Sequence, residues 1–337
     1  MKPTSKRGRN EAFTTSTCKE YVLKFPNLSN RSLASLIYKE NAKLFTNPEQ
    51  VRGVIRLIKG QSGEANRASH VDFRKQLAAL KKELPKGETD KKEPYYLPKS
   101  IKRALILSDI HIPYQDDEAL FAALEYGNEH EADCIILNGD TVDFHAISRH
   151  EKNPNKRDVA YELDCLKVFL KGLRGMFPKA LILYKIGNHD LRLEKYLMLK
   201  APELLAISDF KLSDLCKFNE LNIHEIQSMQ YIYAGKLPIL HGHELPMKSG
   251  GDNPANLSKK QLGKQAMFGH FHKTTVANGR EFDKGMSYQI YSTGCLCDLY
   301  PDYLPINQWN HGFAYVSLKP SGEYHVKNLT VVNGVIY

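Results

Sequence analysis

Five short clusters hold most of the side chains in this 337-residue chain that could do chemistry. They are Ser108-Asp109-Ile110-His111, Asn138-Gly139-Asp140-Thr141-Val142-Asp143, Ile186-Gly187-Asn188-His189-Asp190, Leu240-His241-Gly242-His243 and Phe268-Gly269-His270-Phe271-His272. Each of the first three follows a short apolar run, at 104–107, 134–137 and 180–183, of the kind that forms a strand buried on both faces. Polar clusters at the carboxyl ends of sheet strands are where open α/β folds bind their ligands. Carboxylates, imidazoles and one amide oxygen, without a set of thiolates, suit Mn, Fe, Zn or Ni rather than a zinc-only site.

The elements that must position these clusters follow from periodicity. Helical stretches near 117–130 and 158–177 separate the three apolar runs, which predicts β-α-β-α-β with a mostly parallel sheet. Hairpin-like strands then follow at 230–234, 237–240, 287–292, 312–318 and 323–332. An α/β sandwich of two packed β-sheets flanked by helices accounts for both halves, over residues 101–337.

The first hundred residues have a different texture. They hold 21 Lys and Arg against 10 Asp and Glu, so the whole positive excess of the chain (+9) lies there. Residues 1–17 read as a disordered basic tail, 18–84 as a small all-α module and 85–100 as a linker. Within the module, Leu33, Leu36 and Ile37 mark one helix. Pro48 opens a second that carries Val51, Val54, Ile55 and Ile58 and ends at Gly60. A further helix is predicted over 70–84. Arg52, Arg56 and Lys59 form a basic stripe on the second helix, and the pair resembles a helix-turn-helix that contacts nucleic acid. A solvated face or a protein-docking hairpin fits the same residues.

Six scattered cysteines and no apolar leader point to a cytoplasmic protein, and no apolar run is long enough to span a membrane. Cys295 and Cys297 read as packing residues, and Asp190 as a turn or cap residue.

Taken in order, Asp-x-His, Gly-Asp-x-x-Asp, Gly-Asn-His-Asp, His-Gly and Gly-His-x-His resemble the calcineurin-like metallophosphoesterase superfamily. The resemblance implies two divalent ions, Mn first and Fe, Zn or Ni also compatible. Asp109, His111 and His272 would hold one ion and Asn188, His241 and His270 the other, with Asp140 as the anionic bridge that two cations at close range require. His189 resembles the histidine that protonates the leaving oxygen, and Asp143 the carboxylate that orients it and keeps it protonated. Arg192, Arg149 and His145 are candidates for contacting substrate.

Phe144-His145 and Asp190 depart from the protein-phosphatase pattern, which has Arg-Gly and Glu at those points. The Gly187–Arg192 stretch and Trp309-Asn310-His311-Gly312-Phe313 resemble phosphoesterases found in bacteriophage and prophage genomes. Together with the basic module, this implies a phosphodiesterase or nuclease acting on nucleic acid. The alternatives are a phosphomonoesterase for a phosphoprotein or small molecule whose module docks a protein, and a non-catalytic relic, which the complete ligand set opposes.

Overall fold

The computed structural model describes residues 6–62, 64–148, 158–247, 251–281 and 285–337. The chain divides into two units, Met1–Thr89 and Asp90–Tyr337.

The first unit contains α1 (Lys6–Lys24), α2 (Asn30–Glu40), α3 (Pro48–Ile58) and α4 (Glu64–Glu83). Ser29 caps α2 by accepting the Ser32 N–H at 3.1 Å, and Asn47 caps α3 by accepting that of Gln50 at 2.9 Å. Leu33, Ala34 and Ile37 of α2 pack on Val51 and Ile55 of α3 and on Phe45. Of the disordered tail expected over 1–17, residues 1–5 lie outside the described residues, and the rest falls in α1, which runs from Lys6. Composition alone concealed the reason. Cys18 is fully buried in the same cluster, with Tyr21, Val22 and Phe25 packed around it, so tertiary contact stabilises a helix of low intrinsic hydrophobicity.

The second unit is a sandwich of two sheets. The larger has the order β13-β12-β11-β2-β3-β4-β5. Its parallel half is β2 (Arg103–Leu107), β3 (Cys134–Asn138), β4 (Leu181–Lys185) and β5 (Ile223–Ile226). Its antiparallel half is β11 (His311–Leu318), β12 (Tyr324–Val332) and β13 (Val335–Ile336). The second sheet has the order β1-β6-β7-β8-β10-β9. It comprises β1 (Tyr95–Tyr96), β6 (Ile232–Ala234), β7 (Leu237–Ile239), β8 (Ala266–Phe268), β9 (Thr275–Arg280) and β10 (Ser287–Ser292). Helices α5 (Asp117–Glu129), α6 (Val159–Met176), α7 (Arg192–Lys200), α8 (Leu212–Leu215) and α9 (Pro254–Leu262) complete the unit.

The continuous apolar runs of β2 to β4 have a direct physical cause. Leu105, Leu107, Ile135, Leu137 and Ile182 face the cluster that includes Leu120 and Leu124 of α5 and Leu166 and Leu170 of α6. Their alternating neighbours Ala104, Ile106, Ile136 and Leu183 face Ile232, Leu237, Ile239 and Met267 of the other sheet. Each such fully buried Leu or Ile contributes roughly 1.5–3 kcal/mol. Strand β1 lies inside the segment expected to be linker. Its amides are satisfied by β6, with Tyr95 N–H donating to Tyr231 at 2.8 Å and Leu97 N–H to Tyr233 at 3.0 Å, and Leu97 is buried. Periodicity also missed β5, β8 and β9. Two of these have only three or four residues, too few to show a period.

Candidate metal centre

The loops leaving β2, β3 and β4 converge with those leaving β7 and β8. Asp109, His111, Asp140, His270 and His272 all have left-handed backbones, with φ between 51° and 69°. Such strain in residues with side chains persists only where surrounding contacts impose it. Here Asp109 N–H donates to Gly139 O at 3.1 Å, His111 N–H to Asp140 O at 2.9 Å, and His270 N–H to Asp109 Oδ2 at 2.8 Å. Gly187 is required by close approach, since a Cβ there would strike Asp140 Oδ1 and the Asp140 amide.

Among the described residues, three trios place one ligand atom each within 4.8 Å of one another: His111, His272 and Cys297; His111, Asp140 and His189; Asp140, His241 and His270. Asp109 joins them through Oδ1, which lies 3.3 Å from His272 Nε2. Asp140 Oδ2 lies 3.2 Å from His241 Nε2, and its Oδ1 accepts the His189 N–H at 2.7 Å. Cys297 is buried, with Sγ 3.9 Å from His272 Nδ1.

The donor atoms themselves test whether cations fit. Asp109 Oδ1, His111 Nε2, Asn188 Oδ1, His241 Nε2 and His270 Nδ1 are buried and make no hydrogen bond. An unsatisfied buried polar atom costs about 1–3 kcal/mol, so five around one locus call for a ligand of opposite character. Two of the imidazoles are oriented from behind, as metal-binding histidines are. His241 Nδ1 is 2.7 Å from Asn138 O, and His111 Nδ1 is 2.9 Å from Asp143 Oδ1.

The charges agree with that reading. Burial works to raise Asp140, but His241 and His189 outweigh it and hold the carboxyl well below the usual range. Burial likewise opposes ionisation of Asp143, and the hydrogen bonds from His111 and His189 overcome it. His241 and His272 are raised to about 10. Burial acts against this, and Asp140 in the first case and Cys295 and Asp109 in the second prevail. A divalent ion bound at so anionic a buried site would displace protons from these imidazoles, which makes its binding pH-dependent.

His189 Nδ1 lies 2.8 Å from Asp143 Oδ1, so one carboxylate oxygen orients both His111 and His189. Arg192 donates to the Asp143 carbonyl at 2.8 Å, and its second terminal nitrogen is 2.9 Å from His189 Nε2. Because guanidinium only donates, that nitrogen of His189 is an acceptor in this arrangement and the ring is neutral. Burial pushes the His189 imidazole below its ordinary value, while Asp140 and Asp143 act to keep it protonated. His145 follows Asp143 in a 3-10 turn, its N–H donating to Glu162 Oε1 at 2.9 Å. Arg149 lies outside the described residues. Arg52 and Arg56 are on α3 in the other unit and Lys59 is its C-cap; Arg52 is paired with Glu49 at 2.9 Å, and Arg56 is exposed.

Some supporting residues were not recognised from sequence. Asp190 is a buried clamp, with Oδ2 accepting the N–H groups of Asp140 (2.8 Å) and Gly187 (2.7 Å) and Oδ1 accepting the Tyr184 hydroxyl at 2.7 Å. Burial and the charge of Asp140 raise it to about 6. Lys185 and Glu244 form a buried ion pair at 2.9 Å, and Glu244 accepts the Gly242 N–H at 2.7 Å, bracing the His241 loop. A lysine closing the apolar run of β4 was the available signal for this pair.

Residues 102–284 match the family model described as calcineurin-like phosphoesterase. The Gene 54 protein of Mycobacterium phage L5 is 27% identical over 183 residues, covering 52% of this chain and 71% of that protein. The Gene 54 protein of Mycobacterium phage D29 is 25% identical over 182 residues, with the same shares covered. Among solved structures, vacuolar protein sorting 29 of Cryptosporidium parvum is 14% identical with a TM-score of 0.38, covering 70% of this chain and 95% of that one. The phosphoesterase Yfce of E. coli is 15% identical with a TM-score of 0.31, covering 65% and 93%. No described helix is long and apolar enough to cross a membrane.

Proposed function

Because this chain belongs to the calcineurin-like phosphoesterase family and is a metal-dependent phosphoesterase, we propose that it cleaves phosphodiesters of nucleic acid, using two divalent ions with Mn as the most effective. The observation that carries the hydrolytic part is the set of five buried donor atoms without hydrogen bonds around one locus. Asp109, His111 and His272 would hold one ion and Asn188, His241 and His270 the other, with Asp140 between them. Once bound, the ions supply an acidified water as nucleophile and draw charge off the phosphoryl oxygens.

The chain's own residues do the rest. Asp143 fixes the proton of His189 on Nδ1 and leaves Nε2 toward the locus. Arg192 caps Nε2 in the resting arrangement. An incoming phosphate offers the guanidinium a stronger, charge-assisted partner. When Arg192 turns to it, Nε2 can take up a proton from solvent water, with Asp143 supporting the imidazolium, and deliver it to the leaving oxygen. The nucleic-acid part rests on the positive excess of the first hundred residues and on the Arg52, Arg56 and Lys59 stripe. The test is a parallel assay of a model diester, single-stranded DNA and a phosphoserine peptide with Mn, Fe, Zn and Ni. Faster cleavage of both diesters supports the proposal. A clear preference for the phosphopeptide overturns it in favour of a phosphatase whose helical unit docks a protein.

A further inference from the structure

The loop between β10 and β11 places unusual side chains beside the metal centre. Trp309 meets His272 edge-on, with ring centroids 4.1 Å apart and planes at 63°. Tyr303 lies 6.4 Å from Trp309 and is 68% exposed, and Tyr300 is 74% exposed. Ile306, at 89% exposure, extends the same loop. Large aromatic groups left in water on one ordered loop need a reason, because burying them would be favourable.

The loop is not loosely held. Asn307 Nδ2 donates to Leu299 O at 2.7 Å and to Leu304 O at 2.9 Å, and its Oδ1 accepts the Trp309 N–H at 2.8 Å. Asn310 N–H donates to His272 O at 3.0 Å, and Asp298 N–H to Tyr114 O at 2.8 Å, which ties both ends of the loop to the site. The rings are therefore positioned before any ligand arrives, and little ordering entropy is lost on contact. From 298 to 310 the only charged residues are Asp298 and Asp302. Lys273 brings a cation to the loop by donating to Gln308 Oε1 at 2.9 Å, and the ring faces are the loop's other recognition surface.

We propose that Tyr303 and Trp309 form a stacking ledge for the nucleobase next to the phosphate held at the metal centre. The inference rests on the reading of this protein as a nucleic-acid phosphodiesterase, and it names the part of the substrate that the metal ligands do not recognise. Tyr303 reaches the site through Trp309, whose ring lies between it and His272 in the chain of ring contacts. A base on the ledge would lie beside His272, the metal-ligand candidate that Trp309 contacts. Stacking accepts every base, so the ledge confers preference for a nucleoside over a bare sugar or alkyl group without reading sequence.

Trp309 is the chain's single tryptophan, so its emission reports the ledge directly. The experiment is stopped-flow mixing of the metal-loaded full chain with a thymidine tetranucleotide and, in parallel, with an abasic tetramer of the same backbone. The base-bearing tetramer is expected to quench Trp309 and to bind roughly 5- to 150-fold more tightly, the range for one stacked base. Tyr303→Ala should remove most of that difference, and Tyr303→Phe, which keeps the ring, should restore it. Cleavage of both tetramers with equal affinity and no base-dependent quenching overturns the ledge while leaving the diesterase reading intact. If neither tetramer is cleaved and a phosphoserine peptide is, the diesterase reading falls and takes the ledge with it.

Discussion

In the helical unit, Arg52 and Arg56 of α3 and its C-cap Lys59 are half-buried or exposed, and Arg52 pairs with Glu49. In the sandwich, Asp109, Asp140, Asp190 and Lys185 are all buried at 3% exposure or less, each with named partners. Both units are rich in ionisable groups, yet they use charge differently. At a surface, water and salt weaken each interaction and many partners fit equally well. In an interior, every charge needs a specific counterpart, so the geometry identifies what is missing. The sandwich therefore defines its chemistry atom by atom, and the helical unit declares only a sign of charge.

The largest expected effect lies in the buried set. Removing metal with a chelator should abolish hydrolysis of a model diester, and adding Mn back should restore it. Equal rates before and after thorough chelation would refute the two-metal mechanism. Asp140→Ala should be nearly as severe and should also lower bound metal, as read by elemental analysis, because it deletes the bridge between the two donor sets.

His189→Ala separates chemistry from binding within the same cluster. Turnover should fall roughly 10²–10⁴-fold, the usual contribution of acid–base assistance, while metal content stays at the wild-type level. A metal-free variant would mean that His189 is a ligand, a role its place in a trio with His111 and Asp140 makes worth testing.

Glu162 tests the interior without touching the metal ligands. Burial pushes it up to about 8 from an ordinary 4.5, although the His145 amide bond pulls the other way. Below pH 4.5 the group is neutral whether the chain is folded or not. Between 4.5 and 8 the unfolded chain gives up this proton first, so folding stability falls across that window and levels off above it. Glu162→Gln keeps the acceptor for His145 and removes the ionisation. Its denaturation midpoint should gain on wild type steadily from pH 5 to 8, and a constant difference would refute the assignment.

The smallest effect is expected at the surface. Replacing Arg52, Arg56 and Lys59 together by Ala should weaken DNA binding and flatten its salt dependence by about one unit per lost phosphate contact. Removing residues 1–89 should have the same effect while a small model ester is still hydrolysed. Unchanged affinity in the truncated protein would leave protein docking as the better role for these helices.

How much could be read in advance differed between the units for the same reason. The apolar runs of β2, β3 and β4 and the capped helices α2 and α3 were legible because residues within a turn or a pleat of each other determine them. Helix α1 was not, since its stability comes from Cys18 meeting α2 and α3 rather than from its own composition. Of the site, the types and order of the ligand candidates were visible. The sharing of Asp143 by His111 and His189 was not, nor was the Asp190 clamp or the engagement of Arg192 by His189.

By itself, then, the sequence determined the strands, the residue types at their ends and the segregation of positive charge, because these depend on near neighbours and on counting. Only the tertiary structure decided which atoms face one another. His241, His270 and His272 come from loops of one sheet, and Asp109, Asp140 and Asn188 from loops of the other. The His270 amide reaches Asp109 across 161 residues of chain. No local preference encodes such a contact. It exists because the two sheets bury Ile106, Ile136 and Leu183 against Ile239 and Met267, and that closure brings the loops of both sheets to one place.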